Sequence, residues 1–365
     1  MAIDDTIKAD VAYRLICEGT ALLWRGDFQN ARHLLDALVR RVDRVPLRKA
    51  VKVQRAAAEA PPEPPGAAFH RHRRAQGQRA RVLSQLLIPM EADRTIAQRR
   101  APDVRLACEQ AWGPPDGEPC VVALRELLGL VSAFEWRKKG VPVPALGPAP
   151  GNRIHPHYGV FSPLRGEYLD LVARAPLPLL TRWPAGAPAF DIGTGTGVLA
   201  ALLARRGVPQ VVATDLDPRA LACAADNLQR LGLSGQVQLL AADLFPPGRA
   251  ALVVCNPPWL PARPGAPLER AVYDEDSRML RGFLAGLKQH LLPGGEGWLI
   301  LSDLAEHLGL RTREQLLGWV KAAGLQVLGR ADTRPTHRKA ADADDPLHAA
   351  RAAEITSLWR LGAAA

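Results

Sequence analysis

From residue 187 onward, short apolar runs alternate with amphipathic stretches. Seven runs have the length and composition of strands, at residues 187–192, 211–216, 237–241, 251–256, 297–302, 325–330 and 355–361. Four intervening stretches have the composition of helices, at residues 196–206, 218–232, 276–291 and 311–323. Strands and helices that alternate in this way predict an α/β fold, with a doubly wound, mostly parallel seven-stranded sheet covered on both faces.

The N-terminal part has a different pattern. Apolar residues recur at helical spacing within residues 5–44, and residues 120–138 also favour a helix. Prolines and glycines then interrupt any periodicity in the segment GVPVPALGPAPG, at residues 140–151. We therefore expect a mainly α-helical domain at residues 1–139, a linker at residues 140–151 and the α/β domain at residues 152–365.

The N-terminal domain contains a strongly basic stretch. The formal net charge is +10, and residues 40–100 hold 15 Lys and Arg against 5 Asp and Glu. Such a basic block can attract phosphate backbones by releasing counterions, although an ordinary solvated Arg-rich surface would look the same. His70 and His72 lie among arginines without Cys or acidic neighbours, so the sequence predicts no metal site.

Other features of the sequence bear on the compartment. Its apolar stretches are interrupted by charges and are too short to span a bilayer, and residues 1–10 lack the pattern of a secretory signal. Five scattered cysteines form no C-x-x-C pair, which favours reduced thiols. We expect a cytoplasmic protein without a membrane partner.

Candidate ligand groups come after four successive predicted strands. The segment FDIGTGTG, residues 190–197, leaves the first strand and opens a helix, so its glycines permit a tight turn and close approach of a ligand. Asp215 follows the second strand, about twenty residues later, where a carboxylate can accept hydrogen bonds from ribose hydroxyls. Asp243 and Leu244 follow the third strand, and Asn256-Pro257-Pro258-Trp259 follows the fourth. Proline ends a strand and stiffens the adjoining backbone, so the fourth strand has a rigid tip that carries an amide and an indole.

In this order, the four elements resemble the class I S-adenosylmethionine-dependent methyltransferases, in the branch whose Asn-Pro-Pro-aromatic motif methylates planar nitrogen. The resemblance covers about residues 155–330 and implies a Rossmann-like domain with S-adenosylmethionine as cofactor. It also implies cofactor contacts from Asp191, Gly193, Gly195, Gly197, Asp215, Asp243 and Leu244, and an acceptor site at Asn256, Pro257, Pro258 and Trp259. A nicotinamide enzyme would not account for the last motif, and its usual loop is G-x-G-x-x-G rather than G-x-G-x-G.

The resemblance also gives the acceptor motif a chemical role. In the family, the Asn side-chain oxygen and the first proline carbonyl accept hydrogen bonds from a target NH2 group, and these correspond to Asn256 and Pro257. Acceptors placed in this way favour the transition state in which the nitrogen lone pair turns towards the methyl group. Trp259 would stack on the planar target.

Two further segments are candidates for substrate or cofactor contact. Residues 155–172 occupy the position of a segment that closes over the cofactor in such enzymes, with Phe161 near the cofactor and Arg165 or Glu167 ordering the segment. Within it, GVFS resembles the ribosomal RNA guanine-N2 branch, whereas SPLRGEY resembles the release-factor glutamine branch. In residues 331–354, Arg334, His337, Arg338 and Lys339 could touch substrate.

Three functions therefore stay open. The first is methylation of an exocyclic base amine in ribosomal or transfer RNA, which the acceptor motif and the basic block favour. The second is methylation of a protein glutamine, for example in a release factor or a ribosomal protein. The third is a cofactor-binding module without catalysis. The N-terminal domain would recognise the RNA, the ribosome-associated substrate or the protein partner.

Overall fold

The computed structural model describes residues 1–364 apart from 58–62, 164–165, 179–185, 266 and 337–341. Contacts divide the chain into two compact units, residues 1–135 and 136–365. Each unit has its own sheet and its own helices.

The first unit is mainly helical, but it also contains a small sheet that the sequence analysis did not predict. Strands β1 to β3 are parallel and β4 is antiparallel to β3. The strands are β1 Ala2–Ile3, β2 Leu22–Trp24, β3 Leu86–Met90 and β4 Cys120–Ala123. The helices are α1 Ala9–Cys17, α2 Phe28–Ala57, α3 Ala67–Leu83, α4 Arg105–Trp112 and α5 Leu124–Lys139, the last of which continues into the second unit.

The second unit is built on a seven-stranded sheet with the order β12-β13-β11-β10-β7-β8-β9. All adjacent pairs from β11 to β9 are parallel, and β13 is antiparallel to both of its neighbours. The strands are β7 Ala189–Ile192, β8 Val211–Asp215, β9 Val237–Ala241, β10 Ala250–Cys255, β11 Leu291–Ser302, β12 Leu325–Thr333 and β13 Thr356–Ala363. The helices are α6 Glu167–Arg174, α7 Val198–Arg205, α8 Pro218–Arg230, α9 Arg278–His290, α10 Leu304–His307, α11 Arg313–Ala322 and α12 His348–Ala353. Single turns of 3-10 helix cover Pro144–Leu146, Pro267–Ala271 and Glu275–Ser277.

Two apolar clusters cover the two faces of this sheet. One joins residues of α6 and α7 to alternate strand residues such as Leu252 and Val254, and the other joins α9 and α11 to Val253 and Cys255. The central strands β7 and β10 are buried on both faces, which explains their uninterrupted apolar runs. The predicted Rossmann-like sheet and its seven strands are confirmed.

Residues 140–151 do not form the expected linker. Strand β5 Val141–Pro142 pairs with β6 Arg153–Ile154 as a short antiparallel ladder. Val143 and Leu146 are buried in the same cluster as α6 and α7. Proline at the margin of such a short ladder costs little, because no central ladder bond requires its missing N–H. Composition alone therefore indicated a linker between domains, whereas strand pairing and the burial of two apolar residues make the segment part of the second unit.

Other expectations concern the compartment and metals. Among the described residues, no helix is long and apolar enough to cross a membrane. The same residues contain no cluster of three or more His, Cys, Asp or Glu side chains that could hold a metal ion. All five cysteines are free thiols, and Cys255 is buried within β10.

Gly197 provides a test of the packing between α7 and α8. Its φ is +79°, and an added Cβ would lie 3.2 Å from the Cα of Ala224, whereas Gly207 has φ +87° with nothing within 4 Å of an added Cβ. Alanine in the left-handed region costs about 1 kcal/mol at either position. We expect Gly197→Ala to lower the free energy of unfolding by about 1–3 kcal/mol more than Gly207→Ala, because backbone must also move. Urea denaturation measures both, and equal losses would contradict the packing role.

Candidate active site

The candidate site lies where the order of the sheet reverses. From β7 the chain proceeds outward to β8 and β9, and it then returns to β10 on the other side of β7. Such a reversal leaves a crevice at the carboxyl ends of the two central strands, where ligands bind in open α/β sheets. The glycine-rich loop follows β7 and the Asn-Pro-Pro-Trp segment follows β10, so the fold brings these two motifs to the same crevice.

Asp191 is the most deeply buried charged group at this edge, with no exposed surface. Its Oδ2 accepts hydrogen bonds from the Thr194 hydroxyl at 2.7 Å and from the Ala200 backbone N–H at 3.0 Å. Burial raises the pKa of Asp191 to about 6, against the lowering effect of these two hydrogen bonds. Its Oδ1 is buried and accepts no hydrogen bond from any residue that the structure describes. An unsatisfied buried carboxylate oxygen is costly, and a bound donor would relieve that cost.

Asp215 holds the loop from the neighbouring strand. Its two carboxylate oxygens accept hydrogen bonds from the backbone N–H groups of Gly195, at 3.0 Å, and Asp217, at 2.9 Å. Burial raises the pKa of Asp215, and these backbone donors lower it. Gly195 has φ +55° and open space where a side chain would project, so a ligand can approach the backbone beside Asp215. The S-methyl end of Met279 packs over Gly193.

Asp243 and Leu244 have contacts that their positions in the sequence did not indicate. Asp243 forms an exposed ion pair with Arg278, the first residue of α9. Leu244 has φ +75°, which is strained for a branched side chain, and its carbonyl accepts a hydrogen bond from the Thr214 hydroxyl at 2.6 Å. The Leu244 side chain lies against Gly282. The bend at Leu244 is therefore held by both β8 and α9.

The acceptor motif is fixed by its own side chains. The Trp259 indole N–H donates a hydrogen bond to Asn256 Oδ1 at 2.9 Å. The Trp259 ring is partly buried and packs against both apolar clusters at the end of the sheet. Pro257 is buried and Pro258 is half-buried. Tyr168, on α6, is buried, and burial raises the pKa of its phenol, while Asn256 acts to lower it.

The segment before α6 is held against α8. The backbone N–H of His155 donates to the Asn227 side chain at 2.6 Å, and that same amide donates to the Thr196 carbonyl of the glycine-rich loop at 3.0 Å. His157 lies 3.2 Å from Asp226. Phe161 is 40% exposed, and its predicted place near the cofactor stays a prediction.

The remaining candidate residues lie in different surroundings. Glu167 accepts two hydrogen bonds from Thr336, from its backbone and its hydroxyl, each at 2.7 Å, so the start of α6 touches the segment after β12. Arg334 is exposed. Arg165 and the stretch of His337, Arg338 and Lys339 lie outside the described residues.

Sequence reasoning missed three residues near the crevice. Tyr168, Met279 and Arg278 lie on α6 and α9, away from any strand end, and no short motif marks them. The helical repeat of Tyr168, Leu169 and Val172 signals a buried helical face, but it does not reveal which end of the sheet this face covers.

Together, the reversed sheet order, the glycine-rich loop beside the buried Asp191 and the half-buried Asp215, and the Asn-Pro-Pro-Trp tip define a class I S-adenosylmethionine-dependent methyltransferase domain. More specifically, residues 151–318 match the family model described as "Methyltransferase small domain". Proteins of this family use S-adenosylmethionine as the cofactor.

Proteins that are similar to this chain are named for different methyl acceptors. The chain is 35% identical over 153 residues to the release factor glutamine methyltransferase of Cereibacter sphaeroides, covering 38% of this chain and 52% of that protein. It is 34% identical over 174 residues to the tRNA1(Val) (adenine(37)-N6)-methyltransferase of Serratia proteamaculans, covering 44% and 65%. It is 34% identical over 113 residues to the ribosomal RNA small subunit methyltransferase C of Alcanivorax borkumensis, covering 30% and 31%. The chain thus spans about half the length of the first relative, and these similarities do not decide the acceptor.

The buried charge of Asp191 predicts a pH-dependent effect of Asp191→Asn on stability. The folded-state pKa, about 6, is above the usual value of about 3.9, so the folded protein binds more protons than the unfolded chain between these values. The contribution of Asp191 to the free energy of unfolding therefore falls as pH rises from about 3.9 to about 6. Above pH 6 the buried carboxylate stays ionised, and its full destabilising effect remains. We compare the free energy of unfolding of Asp191→Asn with that of the wild type at each pH. We expect this difference to be about 1–3 kcal/mol more favourable to the variant at pH 7.5 than at pH 4.5. Urea denaturation of both proteins at both pH values measures this, and a pH-independent difference would contradict it.

Proposed function

We propose that this protein is an N-methyltransferase that transfers the methyl group of S-adenosylmethionine to a planar nitrogen, namely an exocyclic base amine of ribosomal or transfer RNA. The observation that carries the proposal is the position of Asn256 at the end of β10, directly beside the glycine-rich loop that follows β7. S-adenosylmethionine, when bound, supplies an electrophilic methyl group on a sulfonium. The residues of this chain then have to hold the cofactor and orient the acceptor.

The cofactor side of the proposal rests on residues that fit its chemistry. The unsatisfied Oδ1 of Asp191 can accept from an ammonium, directly or through a water. Asp215 retains free lone pairs for ribose hydroxyls beside the open backbone of Gly195. Asp243 would accept from the adenine amine after exchanging its partner Arg278, with Leu244 against the ring. Gly193 and Gly197 would shape the loop, and Phe161 would cover the cofactor.

The acceptor side of the proposal rests on hydrogen-bond acceptors at a rigid tip. Asn256 Oδ1 has one lone pair engaged by Trp259 and another that can accept from a target NH2 group. The Pro257 carbonyl would take the second proton, which leaves the nitrogen lone pair directed at the methyl group. The methylated nitrogen sheds a proton after attack, so the step needs no dedicated general base at its start. Trp259 and Pro258 would form the wall against which the planar group lies.

Exposed charge in the first unit favours RNA as the acceptor. Arg40 and Arg44 lie one turn apart on α2, and Arg74 and Arg81 lie two turns apart on α3. All four are exposed and have no carboxylate partner among the described residues. An ion pair between Arg79 and Asp43, at 2.7 Å, joins the two helices. Four free guanidinium groups on two joined helices suit the phosphates of an RNA substrate.

A protein glutamine is the second candidate acceptor. The relative from Cereibacter sphaeroides is named for this activity, and a glutamine amide has the same planar NH2 group as a base amine. The first unit would then dock a protein partner. A cofactor-binding module without transfer is the third candidate, and it would bind S-adenosylmethionine with no acceptor.

Substitutions on the acceptor side and on the cofactor side of the site should have different effects. Asn256→Ala should lower methyl transfer by at least about 100-fold, because one acceptor in the transition state is removed, with little change in cofactor affinity. Asp215→Ala should instead weaken cofactor binding by about 10-fold or more, through loss of hydrogen bonds to a charged group. Calorimetric titration with S-adenosylhomocysteine and turnover at saturating cofactor separate the two effects. Full activity of the Asn256 variant would contradict the proposed acceptor geometry.

The acceptor class is tested with methyl-tritiated S-adenosylmethionine, the purified protein and an extract from cells that lack it. We expect the label to be released by nuclease, because the proposed target is an RNA base. Label released by protease would assign the activity to a protein nitrogen. Cofactor binding without label in either fraction would favour the module without catalysis.

A matched set of variants tests the basic surface in the same assay. Arg40→Gln, Arg44→Gln, Arg74→Gln and Arg81→Gln, combined, should raise the KM for RNA and reduce the slope of log K against log salt by up to about 3, at about 0.7 for each phosphate that is no longer neutralised. Arg125→Gln, on the exposed side of α5 outside the basic block, is the control. An unchanged salt slope in the combined variant would contradict the proposal that this surface binds RNA.

A further inference from the structure

The ion pair between Asp243 and Arg278 lies between two strained turns. Among the described residues of the second unit, three residues other than glycine have a φ in the left-handed region. Leu244, with φ +75°, directly follows Asp243, whereas Asp276 and Ser277, with φ +55° and +54°, directly precede Arg278. Residues in this region are costly, and they persist only where surrounding contacts hold them. The backbone strain of this unit is thus concentrated at the two partners of one ion pair.

The backbone is held on both sides of this ion pair. The carboxylate of buried Asp274 accepts hydrogen bonds from the backbone N–H groups of Met279, at 2.9 Å, and Leu280, at 3.1 Å, which fixes the start of α9. On the other side, the carbonyl of Leu244 is bonded to β8. Because both turns are fixed, the part of the pair that can move is the side chain of Arg278, which is 65% exposed.

The first turn of α9, which carries Arg278, joins the acceptor motif to the cofactor side of the crevice. The backbone N–H of Asp274 donates to the carbonyl of Leu260 at 2.9 Å, and Leu260 directly follows the acceptor motif. The residue after Arg278, Met279, packs its S-methyl end over Gly193 of the glycine-rich loop. A change of partner at Arg278 therefore takes place on a turn that contacts both halves of the site.

Cofactor binding would change the partner of Arg278. Asp243 is the carboxylate that we propose accepts from the adenine amine, and its ion pair is exposed on both sides. An exposed ion pair contributes little, so a ligand held by the rest of the site can displace the arginine. The released guanidinium is a planar fork of N–H donors without a counter-charge, and the anion that an RNA acceptor offers to such a fork is its phosphate.

We propose that Arg278 couples the two halves of the site. It pairs with Asp243 in the absence of cofactor, and cofactor binding at Asp243 releases it to a phosphate of the RNA acceptor. The inference rests on the proposed function, both for the adenine contact of Asp243 and for RNA as the acceptor. Its consequence is positive coupling, in which cofactor and RNA strengthen the binding of each other by the same factor.

The competition at Asp243 is tested by calorimetric titration with S-adenosylhomocysteine in the absence of any acceptor. We expect Arg278→Gln to bind this ligand about 2- to 5-fold more tightly than the wild type, because Asp243 no longer has to leave an ion pair. The gain should vanish in an Asp243→Asn background. Arg281→Gln is the matched control and should bind as the wild type does, since Arg281 is also exposed on α9 but lies over the Trp319 ring, at 5.7 Å. Equal or weaker binding by Arg278→Gln would overturn the proposal.

The coupling is tested by RNA binding to the same proteins. The probes are unfractionated transfer RNA and ribosomal RNA from cells that lack the protein, each with and without saturating S-adenosylhomocysteine. We expect this ligand to tighten RNA binding by the wild type and by Arg281→Gln about 2- to 5-fold, the equivalent of one exposed ion pair, and to leave the RNA affinity of Arg278→Gln unchanged.

The outcomes separate the coupling from the proposed function. If the wild type binds RNA equally with and without S-adenosylhomocysteine, or if Arg278→Gln keeps the full effect, the release of Arg278 to the acceptor is overturned while the proposed function stands. If the wild type binds neither RNA, RNA is refuted as the acceptor and the coupling with it. The titration without acceptor would still decide whether Arg278 competes for Asp243.

Discussion

The whole site depends on the requirement that strands β7, β8, β9 and β10 run parallel. Because side chains beyond the carboxyl ends of parallel strands meet at one edge, groups more than sixty residues apart along the chain become neighbours. The requirement is enforced by burial, since β7 and β10 are covered on both faces and a slip by one residue would move every side chain into the packing of the opposite face. The positions of the site residues at this edge therefore depend on the packing of the strands that carry them.

Asp191 and Trp259 show how this edge joins packing and chemistry. Asp191 ends β7 and ties the loop to α7 through Thr194 and the backbone of Ala200, so the carboxylate is part of the scaffold as well as part of the crevice. Trp259 packs against both apolar clusters and also donates a hydrogen bond to the Asn256 amide oxygen. A substitution at either residue would change stability and ligand geometry at the same time, which is why conservative replacements are the informative ones.

The α/β part of the fold could be predicted from the sequence because the signals for its strands and helices are local. Strand β9 has the predicted bounds, and β7, β8 and β10 differ by no more than two residues at either end, because buried parallel strands are continuous apolar runs. Prediction failed where long-range contacts decide. Residues 86–90 contain Pro89 and follow a basic helix, so their pairing with β2 and β4 was not expected. The partner of Asp243, Arg278, lies 35 residues away on a different element, and no spacing rule connects them.

Asp191 and Asp215 also give the unliganded domain an unusual proton balance. The pKa of each carboxyl is raised, the charge of Asp215 contributes to the rise at Asp191, and no described Lys or Arg forms an ion pair with either. A ligand that brings an ammonium group to this edge favours the ionised carboxylates, so its binding near pH 6 expels protons into the buffer. The heat of binding measured there would then depend on the ionisation enthalpy of the buffer, and the same ligand would report a different apparent enthalpy in phosphate than in bis-Tris.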